Sequence, residues 1–323
     1  MLQPKNVRLE TSIRCQLACP TCERAEGKTK AVLGNGVLSL KDFEKFIDDN
    51  PYIRKVEISS WGEVFLNPDL LAIIKCAHEK NVKILISNGA NFNTVKESVL
   101  EGLVKYQVAR LAVALDGTDQ ETYVQYRRGG NFDQVIQNVT RLNAYKAQYQ
   151  SEFPKLVWQF IVFGHNEHQI PEAMEMAESL GMDFRIKMSW DETISPIRDP
   201  EYVRQFMNSE TVTRSEYQEK YGENYFGKHF CRDLWKMPQL NWDGQVVGCC
   251  YNYWGSFGNA FEEGLSNVMN GEAMSYARQM VSGEVPARED IPCTTCKYYK
   301  TMQETDSWID PNHLGKIEKM VKP

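Results

Sequence analysis

The chain alternates short apolar runs with amphipathic stretches, and its first 190 residues repeat that unit six times. The apolar runs fall at 7–13, 55–59, 83–87, 110–114, 157–163 and 183–188, each followed by a polar loop. Short apolar runs bounded by turn signals predict strands covered on both faces, the habit of parallel sheets. Between them the period lengthens to that of helices, at 39–49, 68–80, 94–106, 119–127, 131–150 and 169–180. Ser39 stands as an N-cap before the first of these, and Asn67 and Pro68 as cap and first helical residue of the second. Six consecutive βα units with right-handed crossovers predict an α/β fold, a partial (β/α)6 TIM-type barrel whose site lies at the carboxyl ends of the strands. Gln159, set between Trp158 and Phe160, is expected to point into that barrel.

Past Trp190 the periodicity stops. Residues 191–230 are rich in charge and tyrosine, hold Pro196 and Pro200, and read as a linker with a helix or two. The stretch 239–249, QLNWDGQVVGC, reads as a β-hairpin turning at Asp243-Gly244. The expected division is therefore 1–190, 191–230 and 231–323, the last a small hairpin and helix domain.

Composition narrows the function. At 323 residues the chain is long enough for a full core, and a net charge of −6 argues against a general nucleic-acid surface, which needs clustered Lys and Arg. No apolar run approaches the roughly 18 residues of a membrane span, and MLQPKNVRLE carries no signal-peptide core, so a cytoplasmic protein is expected. Nine cysteines in such a chain favour metal binding or catalysis over disulfides.

Three of them lie in TSIRCQLACPTC, residues 11–22, as C-x3-C-x2-C directly after the first strand. A structural zinc site closes with four ligands and an ordinary 4Fe-4S cluster takes four cysteines, so Cys15, Cys19 and Cys22 suit a metal cluster with one position left open. Pro20 favours a loop there over a helix. Cys231, Cys249, Cys293 and Cys296 make a closed four-ligand set; spacing alone leaves a zinc ribbon and an iron–sulfur cluster equally open. Cys250 is surplus to that set, and Cys76 falls inside a helical pattern as a core residue. The other polar residues gather where the barrel rule places a site: Ser60-Trp61-Gly62-Glu63 after the second strand, Ser87-Asn88-Gly89 at the third, Asp116-Gly117 after the fourth, and His165 and His168 after the fifth.

The C-x3-C-x2-C loop with these rim motifs resembles the radical SAM superfamily. The resemblance implies that Cys15, Cys19 and Cys22 hold a 4Fe-4S cluster whose fourth iron is chelated by S-adenosylmethionine, and that reductive cleavage gives a 5'-deoxyadenosyl radical. Trp61-Gly62-Glu63 resembles the family's Gly-Gly-Glu element, departing from it at Trp61, so Gly62 and Glu63 are expected at the methionine end of the cofactor. Ser87 and Asn88 resemble the Thr-Asn pair near the ribose, and Asp116, in ALDG, the carboxylate that faces cofactor or substrate. Arg127 resembles the arginine set on the methionine carboxylate, where a guanidinium fork suits the partner. The C-terminal cysteines are similar to the twitch domain, a truncated SPASM module, which implies a second, auxiliary 4Fe-4S cluster on Cys231, Cys249, Cys293 and Cys296.

The expected activity is abstraction of hydrogen from a polar small molecule, a sugar, cyclitol or similar, with oxidation through the auxiliary cluster as in the family's aminocyclitol dehydrogenases. Epimerisation, with Cys250 returning a hydrogen atom, is the alternative, and peptide maturation a third. Peptide-modifying relatives often carry a leader-binding domain of some eighty residues ahead of the barrel, and none is expected here because the first strand begins within ten residues of the start. A small reductant such as flavodoxin or ferredoxin is the expected partner. A non-enzymatic two-metal carrier would not need the rim motifs.

Overall fold

In the computed structural model, which describes residues 1–314, the six expected strands are β1 Asn6–Leu9, β2 Lys55–Glu57, β3 Lys83–Ala90, β4 Arg110–Ala114, β5 Lys155–Val162 and β6 Asp183–Met188. They pair in sequence order and all in parallel. Two more strands, β7 Gln239–Leu240 and β8 Val246–Gly248, extend the sheet on the other edge of β1, giving the order β6-β5-β4-β3-β2-β1-β7-β8. β7 runs parallel to β1 and antiparallel to β8. The sheet stays open, with β6 and β8 as its edges.

Alternation along the strands turns one apolar face outward under the helices and the other face into the barrel. On β5, Trp158, Phe160 and Val162 are buried in the core under the helices, and the Trp158 indole is satisfied by Leu115 O at 2.8 Å. Gln159 faces the other way, toward Asn88 O at 3.4 Å, as its position predicts. On β1, Val7 and Leu9 join the outer core, and Arg8 turns inward. Helix starts follow the sequence signals in three places. Ser39 caps Leu40–Asp49, Asp119 caps Gln120–Tyr126 and Asn131 caps Phe132–Gln148, each side chain accepting from a backbone N–H three residues on.

The helix expected from Pro68 begins later, as Leu70–Glu79, with Asp69 at its N-cap position. Asn67 still serves the helix start, its Oδ1 accepting from Asp69 N at 2.8 Å, while its amide nitrogen reaches away. Its Nδ2 donates to Thr11 O at 2.8 Å and to Leu38 O at 2.9 Å, both buried contacts. Thr11 O also accepts from Leu38 N at 2.9 Å, so the amide adds a second donor there, supplies one to Leu38 O, and ties the loop after β1 to the neighbouring segment.

The C-terminal part is built onto the barrel. Arg8 N donates to Pro238 O and Glu10 N to Leu240 O, both at 3.0 Å, and Trp242 Nε1 reaches Leu33 O at 2.8 Å. Asn270 exchanges hydrogen bonds with the backbone of Leu2, so the outer core runs from the barrel helices into Leu265–Asn270 and Glu272–Val281 without a break. Residues 191–230 contribute Pro200–Arg204, Arg214–Tyr221 and most of Gly227–Cys231. The last residues assigned to the C-terminal domain, 315–323, lie outside the described residues.

Replacing Asn67 with Ala removes the donor to buried Leu38 O, one of the two donors to Thr11 O and the acceptor for Asp69 N. Chemical denaturation should show a loss on the order of 2 kcal/mol with an unchanged slope; a midpoint equal to wild type would mean that the loops after β1 do not depend on this amide.

Candidate functional site

The loop after β1 is pinned on three sides before its cysteines are considered. Ile13 N donates to Gly36 O, Glu63 N to Arg14 O at 2.7 Å and Ala18 N to Arg128 O at 3.0 Å. Thr21 takes a left-handed φ of 58°, which turns the chain between Cys19 and Cys22. The three cysteines pack in one cluster with Leu17, Tyr126, Ile161 and Phe163 at the barrel mouth. Burial pushes the Cys15 thiol up to about 11 and raises that of Cys19, where the Arg127 guanidinium opposes the shift. Asn91 Nδ2 lies 3.7 Å from Cys15 Sγ and Arg127 Nη1 lies 3.9 Å from Cys19 Sγ, so two N–H donors already face sulfur. Among the described residues no three Cys, His, Asp or Glu side chains converge on a single-ion site. Thiolates on different irons of one cube do not need to converge, and three grouped thiols facing N–H donors fit a cluster.

The loop after β2 packs on this one. A Cβ at Gly62 would stand 1.9 Å from Ser12 O, so only glycine lets the two loops cross. Glu10, at the end of β1, accepts from Trp61 N at 2.7 Å and Gly62 N at 3.3 Å. Glu63 accepts from Asn91 N at 2.7 Å and Phe65 N at 3.3 Å, and joins the loops after β2 and β3. Burial pushes the Glu10 carboxyl up to about 8 and the Glu63 carboxyl up to about 7, against the pull of these N–H donors. Glu57 on β2 accepts from Ser87 N and from Ser59 N and Oγ. Neither Glu10 nor Asn91 stands out in the sequence; the one signal for Glu10 is its inward parity with Arg8.

On β3, Ser87 Oγ is buried without a partner, as is Gln159 Oε1 across the barrel. Asn88 is exposed and donates to Ser60 O at 2.8 Å. Gly89, at φ 93°, gives way to Gln159, since a Cβ there would lie 2.2 Å from its Nε2. Asp116 is fully buried. Its Oδ2 pairs with Arg127 Nε at 2.5 Å and its Oδ1 accepts from Ile161 N at 2.6 Å. Asp116 thus sits as a positioner of Arg127, with both oxygens engaged. His165 stacks on Phe163, with Nε2 buried and unpartnered and its pKa lowered by burial, whereas His168 is exposed.

The second group of cysteines comes from four places in the chain. Cys231 ends a helix, Cys249 follows β8, Cys293 lies in the turn Pro292–Thr295, and Cys296 heads the helix Lys297–Thr305. All four line one small cavity of about 20 Å³, walled by aromatic residues including Tyr251, Trp254 and Tyr298. Its loop is held by Asn252, whose Nδ2 donates to Val247 O at 2.7 Å and Gly255 O at 2.9 Å. Burial raises every one of these thiols, Cys293 to about 12. The donor set fits an auxiliary cluster fully ligated by cysteine. Cys250 is not in this lining. It turns toward Arg8 and Asp233, hydrogen-bonding the carboxyl, and burial pushes its thiol up to about 12. Cys76 lies buried in the helix Leu70–Glu79.

Residues 9–177 match the radical SAM superfamily, and residues 231–297 match SPASM, an iron–sulfur cluster-binding domain. The second match settles the choice between zinc and iron that spacing leaves open, and the pair assigns S-adenosylmethionine and iron–sulfur clusters as cofactors. An AdoMet-dependent heme synthase from Methanosarcina barkeri (strain Fusaro / DSM 804) is 25% identical over 180 residues, 55% of this chain and 48% of that protein. The chain spans about half the length of the curated relatives it matches. Streptococcus suis SuiB bound to S-adenosylmethionine is similar in structure at a TM-score of 0.65 and 17% identity, over 92% of this chain and 72% of that one. BtrN in complex with AdoMet and 2-DOIA is similar at a TM-score of 0.51 and 12% identity, over 91% and 93%. These two likenesses are of fold. Among the described residues no helix is long and apolar enough to cross a membrane.

Glu10 offers a test by pH. Its folded pKa of about 8 exceeds the ordinary 4.5, so the folded chain holds this proton where the unfolded chain has released it, and stability falls as pH rises through that window. Glu10→Gln mimics the protonated acid. Between about pH 5 and about pH 8 its melting temperature should fall less than that of wild type; equal slopes would show that Glu10 stays ionised in the fold.

Proposed function

We propose that this chain, which belongs to the radical SAM superfamily, oxidises a polar small molecule at an unactivated carbon, one hydrogen leaving as an atom by abstraction, the second as a proton to solvent, and the remaining electron passing to its auxiliary cluster. S-adenosylmethionine on the reduced cluster supplies hydrogen-atom abstraction when both are bound. Cys15, Cys19 and Cys22 would hold three irons and leave the fourth for the cofactor. Asn91 and Arg127 would donate to the sulfurs of Cys15 and Cys19, and Asp116 would keep Arg127 aimed at the mouth. Gly62 and Glu63 would set the loop that meets the methionine end. Ser87 and Gln159 have a hydroxyl and a carbonyl free inside the barrel for cofactor hydrogen bonds, and Asn88 lies on the rim beside them.

The observation that carries the oxidative reading is the cavity lined by Cys231, Cys249, Cys293 and Cys296. A cluster with four cysteine ligands has no iron open to substrate, which suits an electron carrier. One specific observation favours epimerisation as the second reading: Cys250 lies outside that lining, against Arg8, which alternation turns into the barrel. A thiol on that side is placed to return a hydrogen atom. Peptide substrates enter through the likeness to SuiB, which has been crystallised with the precursor peptide SuiA.

Product mass separates the readings. With substrate found by screening polar metabolites against reduced enzyme and S-adenosylmethionine, an oxidation gives a product two hydrogens lighter, and Cys250→Ala keeps turning over within a few-fold of wild type. An isomer of unchanged formula that carries solvent deuterium from D2O, and disappears in Cys250→Ala while 5'-deoxyadenosine is still made, would replace oxidation with epimerisation.

A further inference from the structure

Strands β4, β5 and β6 carry a set of charges that the proposed oxidation does not use. β6 reads DFRIKM, charged and apolar in strict alternation. Its register pairs Val157 with Asp183, Gln159 with Arg185 and Ile161 with Lys187. Neighbours in a parallel register share a face, and Gln159 points into the barrel, so Asp183, Arg185 and Lys187 do too. On β4 the same register sets Ala112 beside Val157 and Ala114 beside Gln159, with Arg110 on that face below them. The two inward alanines put little side-chain bulk beside the charges.

These cations are not neutralised. The other inward arginines have ion-pair partners: Arg8 lies 3.6 Å from Asp233, beyond hydrogen-bond contact, and Arg127 is paired with Asp116. Among the described residues Arg110, Arg185 and Lys187 form no ion pair, and the Nε atoms of Arg110 and Arg185 are buried without a hydrogen-bond partner. Arg185 feels Arg110 as a like charge and only Asp183 against it. Lys187 is surrounded by Arg185, Arg214 and Arg127, with Asp116, already held by Arg127, as its one anion. Burial together with these cations lowers the Lys187 pKa to about 8. Like charges gathered in a partly dry interior are costly for folding alone. They are repaid where an anion is to be bound, because guanidinium forks and an ammonium match the oxygens of a carboxylate or phosphate.

We propose that the inner face of β4–β6 is the anchor for an anionic group of the substrate, a carboxylate or a phosphate, held by Arg185 and Lys187 with Arg110 behind them. This rests on the radical SAM oxidation reading and narrows its substrate from polar to anionic. The anchor lies below the cysteine cluster: Ile161, the register neighbour of Lys187, belongs to the apolar group around Cys19. A substrate held by its anion would thereby present a carbon toward the mouth where the cofactor binds.

The test uses the anaerobically reconstituted full chain saturated with S-adenosylmethionine, so that Arg127 and the open iron are occupied. Inorganic phosphate and malonate are titrated separately by calorimetry, and the stronger binder identifies the source of the anion. The double variant Arg185→Gln/Lys187→Gln should lose at least about tenfold in affinity for that probe, and Arg185→Lys should retain most of it. Iron content and the dissociation constant of S-adenosylmethionine should match wild type. Absence of binding of either probe to wild type, or equal affinity in the double variant, overturns the proposal. So does a double variant that loses S-adenosylmethionine affinity, which would assign these cations to the cofactor. Failure of the underlying reading shows separately, as reduced wild type that makes no 5'-deoxyadenosine.

Discussion

β1 has a partner on both edges, and the chemistry of the molecule depends on that. Pairing with β2 through Asn6, Val7 and Arg8 sets the barrel, and pairing with β7 through Arg8 and Leu9 fixes the C-terminal hairpin to the same strand. One end of β1 leads into the loop of Cys15, Cys19 and Cys22, and β8, one strand further across, leads into Cys249. The two cysteine groups are thus set at the ends of nearly adjacent strands, and rigid hydrogen-bonded backbone holds their separation. Ser60 Oγ donating to Gln239 Oε1 at 2.9 Å adds a side-chain tie between the loop after β2 and β7.

Buried carboxylates do the remaining fixing. Glu10, Glu57 and Glu63 each accept from two or more backbone N–H groups at the tops of different strands, and Asp116 holds Ile161 N together with Arg127. Loops at a barrel mouth lack a sheet ladder, and their orphan N–H groups need acceptors. One carboxyl group serves two at once, and burial raises the pKa of all three glutamates. The same chemistry explains why the positive charges of β6 stand out: around the rim, carboxyl groups are matched to donors, whereas among the described residues Arg185 and Lys187 form no ion pair.

Much of this architecture is legible in the amino-acid sequence. Six strands and six helices follow from period and run length, because each strand is an apolar run or, in β6, a strict alternation bounded by polar loops. The Cys15-Cys19-Cys22 spacing and the four later cysteines are legible because metal ligation fixes residue type. The cap-like bond of Asn67 to Asp69 N is legible, but the reach of its amide nitrogen to Thr11 O and Leu38 O, on segments distant in sequence, is not. The join between β7 and β1 is hidden because a two-residue strand has no periodicity to read. Asp116 matches a family element, but its burial against Arg127 and Ile161 N depends on strands distant in sequence. The inward cations of DFRIKM are written in the sequence, but alternation alone marks a strand; which of its faces looks into the barrel follows from the register with β5.

The central claim is that the loop after β1 holds a cluster with one iron open to S-adenosylmethionine. It is tested most directly by anaerobic reconstitution of wild type beside a variant with Cys15, Cys19 and Cys22 all replaced by Ala, with iron counted and 5'-deoxyadenosine measured after reduction. Wild type should hold about eight irons, two four-iron clusters, and cleave S-adenosylmethionine. The variant should keep about four, on the C-terminal cysteines, and make no 5'-deoxyadenosine. A variant that still forms 5'-deoxyadenosine, or retains all the iron of wild type, would contradict the assignment.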